Sequence, residues 1–338
     1  MKKFFWGVGA ILLLCSHDMF LKLDNYFLEP NTQATIQLFN GTFDKSENVI
    51  DRNRMLDVSL VGNGQRIQVD STQWTERDSI TFLNFTTGNS GTWVAGVSTA
   101  PRNIALDAKS FNDYLAHDGV VDMLEWRKNN GALEEDAVEK YSKHVKTIFQ
   151  VGDSLSEDWN TELGYPIEFI PLENPYDLHA GHSLQVKLLY DGKPLANQLV
   201  IIGSKTTGES TTIEHSHDGG EPHTHESGET ADHDHNAGLQ LRTNEAGILE
   251  FKIASEGIWH LRTIHMVQSE EEGLTHESNW ATLTFAVGSG HSTEHDAHSA
   301  SEHGHTHEEE QGFPSYVFWL VSLVVIAGLF LYFKNAKK

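Results

Sequence analysis

Between Met19 and about Ala100, apolar and polar residues alternate over short stretches broken by turn-forming residues. MFLKLDNYFL, ATIQLF, MLDVSLVG, ITFLNF and TWVAGVST carry the period of two that buries one face of a strand. Asn40-Gly41 and Asn63-Gly64 lie between them as turn signals. This predicts a small β-sandwich over 17–103. The period then changes. Between Asp107 and Asn130, Phe111, Leu115, Val121 and Leu124 recur at near-helical spacing, and Gly131 offers a stop. Ala137, Tyr141, Val145 and Ile148 follow at steps of four, four and three, predicting a second helix from Glu134 to Phe149. The two helices would pack as a hairpin within a helical segment over 104–152. After Pro166 alternation returns in IEFIPL, SLQVKLLY, NQLVIIG, LQLRT, ILEFKI, IWHLRTIHMV and NWATLTFAV, with turns at Asp191-Gly192 and Asn244 to Gly247. These strands predict a second sandwich over 160–288, immunoglobulin-like or transthyretin-like. The expected fold is mainly β: two β-sandwich units, a helical hairpin between them and a C-terminal transmembrane helix.

Two continuous apolar segments fix the expected topology. Lys2 and Lys3 precede an apolar run from Phe4 to Leu14, which reads as a secretory signal over 1–16. Cleavage after Ser16 would make His17 the mature N-terminus, although Leu14 is larger than the residue usual at that point. Lipidation of Cys15 and retention of the leader are the alternatives. Phe313 to Phe333 holds no charged residue over 21 positions. As a helix it would be about 30 Å long, the thickness of a bilayer core. Lys334, Lys337 and Lys338 then predict a cytoplasmic tail over 334–338. The expected location is the cytoplasmic membrane, crossed once, with the main body extracytoplasmic (periplasmic).

Charge and histidine add chemistry. Against 24 Lys and Arg stand 48 Asp and Glu, a formal charge of −24. Such a surface repels nucleic-acid phosphates and attracts cations, so no nucleic-acid partner is expected. Residues 206–236 hold six histidines, eight acids and neither Lys nor Arg. Residues 289–311 hold six histidines, six acids and again neither Lys nor Arg. Nearly free of aliphatics, neither tract can bury a core. The first reads as a long loop of the second sandwich, the second as a stalk over 289–312. His215 and His217, His223 and His225, and His233 and His235 sit at i, i+2, about 7 Å apart on one face of an extended chain. The stalk adds His303, His305 and His307, with His291, His295 and His298 on one face if helical. Imidazole with carboxylate, and no cysteine beyond Cys15, suits a divalent transition metal: nickel first, with cobalt, zinc or Cu(II) as alternatives. Labile ligands on flexible tracts favour capture and relay to a membrane metal transporter over catalysis. The same imidazoles could instead sense pH.

His17, if freed, could chelate Cu(II) or Ni(II) through its amine and ring, which would suit a copper-binding protein or enzyme. His260 and His265, five apart on one strand, would face opposite sides. His179 and His182 flank a turn, and His117 and His144 read as surface positions on the predicted helices. No GxSxG, HExxH, P-loop or catalytic cysteine occurs, so no enzyme is expected. A non-metal surface interaction module, with the tracts as spacers, is a further reading.

With His17-Asp-Met-Phe-Leu after the leader, the chain resembles the nickel-uptake, NikM-like extracytoplasmic family (domain of unknown function 4198). Further matching residues are Tyr141 to Lys146 with Gln150 to Gly152, Pro166 to Glu168 with Pro171 to Tyr176, and Gly181. Tyr190 to Leu195, Asn244 to Gly247, Gly257 to Trp259, His265-Met266 and Trp280 to Phe285 complete the likeness. The resemblance implies an extracytoplasmic β-rich protein of nickel or cobalt uptake, often with a histidine-rich insertion and a C-terminal membrane helix. Carried over by position, it implies His17 and His265 as metal residues.

Overall fold

The computed structural model describes residues 17–206 and 238–288. The leader, the histidine-rich loop, the stalk and the apolar segment 313–333 lie outside the described residues. Among the described residues, no helix is long and apolar enough to cross a membrane.

In chain order the strands are β1 (Asp18–Lys22), β2 (Phe27–Leu28), β3 (Gln33–Gly41), β4 (Met55–Gly62), β5 (Gln65–Gln68), β6 (Trp74–Arg77), β7 (Ile80–Thr86), β8 (Gly91–Thr99) and β9 (Arg102–Leu106). Helices α1 (Ala108–His117) and α2 (Val121–Asn129) follow. Then come β10 (Ala137–Val151), β11 (Ile167–Pro171), β12 (Ser183–Tyr190), β13 (Lys193–Pro194), β14 (Leu199–Lys205), β15 (Leu239–Arg242), β16 (Ile248–Lys252), β17 (Gly257–Gln268) and β18 (His276–Val287).

The fold is mainly β, and its two sandwiches share a sheet. A ten-stranded sheet runs β15-β14-β17-β18-β10-β8-β4-β5, with β2 and β9 also paired to β10. Alternate residues of its central strands enter different cores. Val94, Ile148, Ala281, Leu283 and Phe285 pack with Phe169, Val186 and Phe251 of the sheet formed by β11, β12, β13 and β16. Trp93, Ala95, Val97, Val145 and Phe149 pack with Met19, Leu21, Leu38 and Phe85 of the sheet β1-β3-β7-β6. The two smaller sheets therefore cover opposite faces of the large one.

This arrangement corrects the second predicted helix. Glu134 to Phe149 is not helical: from Ala137 it is β10, the fifteen-residue strand at the centre of the shared sheet. Its steps of four and three were a coincidence of spacing. A strand covered on both faces has no exposed side to mark with polar residues, so its period of two is lost. The helical pair is instead α1 and α2, split where Gly119 takes φ 77°. Asn63-Gly64 makes the expected tight turn, with φ 52° and 73°. Asn40-Gly41 does not turn: both residues are paired within β3, opposite Met19 and Asp18.

Burying β10 on both faces forces its polar side chains to find partners. Lys146 Nζ lies 3.1 Å from Glu168 Oε2 of β11, with side chains 1% and 3% exposed. Lys146 also donates to Thr161 O, and Glu168 accepts from the backbone amides of Leu163 and Gly164. Burial lowers the Lys146 ammonium, and Glu168 opposes that shift. Removing one partner strands a buried charge, so Glu168→Ala is expected to cost about 3–5 kcal/mol in urea unfolding. The pairwise replacement Lys146→Met with Glu168→Leu should recover most of that loss, and an equal cost for the double variant would refute the account.

Candidate functional site

The pairing of β10 with β18 builds a cavity around the chain's entry into the fold. These strands run parallel, with Tyr141 opposite Ser278 and Lys143 opposite Trp280. On β10, Glu139, Tyr141 and Lys143 alternate onto one face, and Trp280 joins them from β18. With His17, Asn40, Arg54 and Arg102 they line a space of about 570 Å³. Val49, Ile50, Ile104 and Leu106 give it an apolar wall.

The position of His17 follows from β1 being an edge strand. Edge carbonyls need donors, and side chains of the central sheet supply them. Thr282 Oγ1 donates to Met19 O at 2.8 Å and Thr284 Oγ1 to Leu21 O at 2.5 Å. Lys143 Nζ donates to His17 O, and to Asn40 Oδ1 at 3.2 Å. Asp18 forms a buried ion pair with Arg262 of β17 at 3.3 Å. The His17 ring itself contacts Glu47, with Nε2 and Oε2 3.0 Å apart.

Titration in the cavity is shifted by burial. Lys143 falls to about 8, with Asp18 opposing and Arg54 adding to the shift. Its ammonium lies 5.0 Å from the Trp280 ring centroid and 5.9 Å from that of Tyr141. Burial pushes Glu139 up to about 7, against hydrogen bonds from Ser278 and Tyr114. Tyr114 donates to it at 3.1 Å, and Trp280 Nε1 donates to Ser278 Oγ at 3.0 Å. An acid near neutrality and a buried amine lining one cavity can each exchange a proton or hold a polar ligand. Of the cavity residues, the sequence reading marks His17 alone as a site candidate, while Tyr141, Lys143 and Trp280 appear there as positions of the family likeness. The signal it passed over was the alternation Glu139-x-Tyr141-x-Lys143, hidden inside the segment read as a helix.

The structure does not bring His17 and His265 together. On β17, Arg262 faces Asp18 and Ile264 packs with Trp280, whereas His265 points to the other side. There its Nδ1 meets Gln198 Oε1 at 2.9 Å and its ring meets Tyr190 at 4.6 Å. His260 does face the opposite way from His265, stacked on Phe43 at 4.1 Å and edge-on to Phe20 at 5.6 Å. His144 is no helix-surface residue: it is buried on β10, between Ser98 at 2.9 Å and Ser142 at 3.0 Å. His179 and His182 lie with ring centroids 5.5 Å apart beside their exposed turn. Among the described residues no group of three His, Cys, Asp or Glu is placed to hold a metal ion. His215, His217, His223, His225, His233, His235, His291, His295, His298, His303, His305 and His307 lie outside the described residues.

The model of one family, described as a domain of unknown function (DUF4198), matches residues 14–267. The chain belongs to that family. The DUF4198 match takes in His17, the cavity residues of β10 and His265, and stops before β18 with its Trp280. No curated protein matches the chain. Among solved structures, a Salmonella alpha-2-macroglobulin is 11% identical with a TM-score of 0.20, covering 79% of this chain and 15% of its own. The D0-D1 domain of intimin is 10% identical with a TM-score of 0.18, covering 79% of this chain and 97% of its own. A DUF4785 family protein from Legionella pneumophila is 11% identical with a TM-score of 0.21, covering 54% of this chain and 37% of its own. Similarity at these scores carries no argument about this DUF4198 chain.

Three desolvated imidazoles, two of them buried and His260 partly so, make the folded chain acid-sensitive. Burial lowers His144, His260 and His276 from 6.5 to about 4. Between those values the unfolded chain binds more protons, so the stability they contribute is full above about pH 6.5 and is lost as pH falls toward about 4. Glu139 acts in the opposite sense between about 7 and 4.5, but it is one group against three. Thermal unfolding should therefore move to lower temperature on acidification across this window, with a shallower fall in His260→Leu; a flat or rising profile in the parent chain would contradict the assignment.

Proposed function

We propose that this chain is an extracytoplasmic, membrane-anchored metal-binding accessory protein of nickel or cobalt uptake, the role suggested by the NikM-like resemblance. Its two histidine-rich tracts capture divalent ions, with nickel the preferred cargo and cobalt, zinc or Cu(II) as possible substitutes, and pass them to a membrane transporter. The observation that carries this reading is the doubled bias of the sequence. Twelve of the 20 histidines fall in two tracts that hold 14 acids and neither Lys nor Arg. Imidazole and carboxylate are ligands of choice for these ions, and the surplus of negative charge draws cations to them. The work is capture and release, not catalysis.

The geometry of the strands that lead into the tracts supports the reading. β14, which ends at Lys205, pairs antiparallel with β15, which begins at Leu239, so the first tract lies in the chain between two neighbouring strands at one sheet edge. Lys205 pairs with Ile258 of β17, and the adjacent Gly257 pairs with Val287 at the end of β18, where the second tract begins. β14 and β18 thus finish at the same end of the central sheet, two strand spacings or about 10 Å apart. His17 and His265 are held to secondary roles, since they lie on opposite faces of that sheet.

Titration calorimetry of the full chain with Ni(II) tests the proposal. Deleting 212–236 and 291–307 together should remove most of the binding stoichiometry, and each deletion alone should remove a part. Unchanged stoichiometry in the double deletion would sink the proposal.

A further inference from the structure

In a chain with twice as many acids as bases, cations are the scarce charges, and three of them converge on the cavity beneath His17. Lys143, Arg54 and Arg102 have no carboxylate ion-pair partner among the described residues. The buried Lys143 ammonium spends its hydrogen bonds on two neutral oxygens, His17 O and Asn40 Oδ1. Arg54 donates to Ala100 O at 3.1 Å and lies 5.0 Å from the centroid of the Tyr141 ring, the ring Lys143 also approaches. The two like charges are close enough that Arg54 depresses the lysine. Arg102 is exposed on β9, paired with Tyr141, and brings a third cation to the wall.

The acids that share the cavity are otherwise engaged. Asp51 caps the turn at Arg52–Arg54 by accepting from Asn53 N at 3.0 Å. Glu139 accepts hydrogen bonds from Tyr114, which also lines the cavity, and from Ser278. Elsewhere in the interior, Lys146 and Arg262 are matched by the carboxylates Glu168 and Asp18. Arg127 is held by the neutral oxygens of Asn112 and of the Glu135 backbone and lies over the Phe111 ring, outside the lining of this cavity. A cavity in which cations gather with only neutral oxygens as hydrogen-bond partners suits an anion supplied from outside. Its other wall, Val49, Ile50, Ile104 and Leu106, has nothing to offer a compact inorganic ion. At about 570 Å³ the space falls within the range of small-molecule sites.

We propose that this cavity binds a small organic carboxylate, its charged end between Arg54 and Lys143 and its carbon body against the apolar wall. Arg102 at the rim attracts the anion and contributes to its affinity. Glu139, on the same face of β10 as Lys143 with Tyr141 between them, sets an upper limit on the ligand's charge, since a second carboxylate near it would be repelled. The site uses none of the residues in the two histidine-rich tracts, so it stands or falls separately from metal capture.

Calorimetric titration of the full chain, stripped of metal by dialysis, with benzoate, hexanoate, benzamide and inorganic phosphate tests this site. Saturable 1:1 binding of at least one of the two carboxylates is expected. Benzamide, which keeps the ring and loses the charge, should bind at least about tenfold more weakly than benzoate, the scale of one charge-assisted hydrogen bond. Phosphate should bind more weakly than the better carboxylate. Arg102→Gln, on an exposed side chain, and Arg54→Gln should each weaken carboxylate binding while leaving Ni(II) stoichiometry unchanged. Absence of saturable binding by both carboxylates, equal affinity for benzamide, tighter phosphate binding, or unaltered carboxylate affinity in both arginine variants would each overturn the proposal.

Discussion

The parallel pairing of β10 with β18 is the constraint on which the rest of the structure depends. It joins the strands before the helical pair to those after it, and it sets both strands in a sheet covered on each face. A strand in that position has no side on which to leave a polar group to water. Its charged residues must then be matched by donors and acceptors brought from other layers. Lys146 is matched by Glu168 below the sheet, and Lys143 by the carbonyl of His17 above it. The polar side chains of β10 and β18 therefore tie three layers together where apolar contact alone would leave the register of the sheets free.

The same constraint produces the cavity. Lys143 stands where β1 needs a donor for its first carbonyl, and the parallel register sets Trp280 beside it. Glu139, two pairs of residues earlier on the same face, is brought against Tyr114 of α1. The buried amine, the raised carboxyl and the aromatic floor thus follow from one strand pairing. The chain's entry into the fold and its most unusual charges are consequently at the same place.

The metal reading and the carboxylate reading occupy different parts of the molecule and rest on different physics. The first relies on composition: imidazoles and acids concentrated in tracts that cannot bury a core. The second relies on placement: cations gathered in a cavity of a chain whose overall charge is strongly negative. What the fold adds to the first is a shared sheet end for the strands that precede the tracts, because β14 and β18 run in the same direction with β17 between them.

The sequence by itself determined the β character of the chain, nearly every strand longer than four residues, and the turns at Asn63-Gly64 and Asp191-Gly192, because alternation and turn chemistry are local. It also determined the two histidine-rich tracts, which are features of composition. Membership of the DUF4198 family was legible too, although the cavity was not, except for His17. Only the tertiary structure decided that β10 is a strand, since a segment buried on both faces and carrying Glu139, Lys143 and Lys146 lacks the period that would mark it. Only the tertiary structure separated His17 from His265, since sequence distance does not say which face of a shared sheet a residue meets. Partners for buried charges come from other layers, and no local pattern records them.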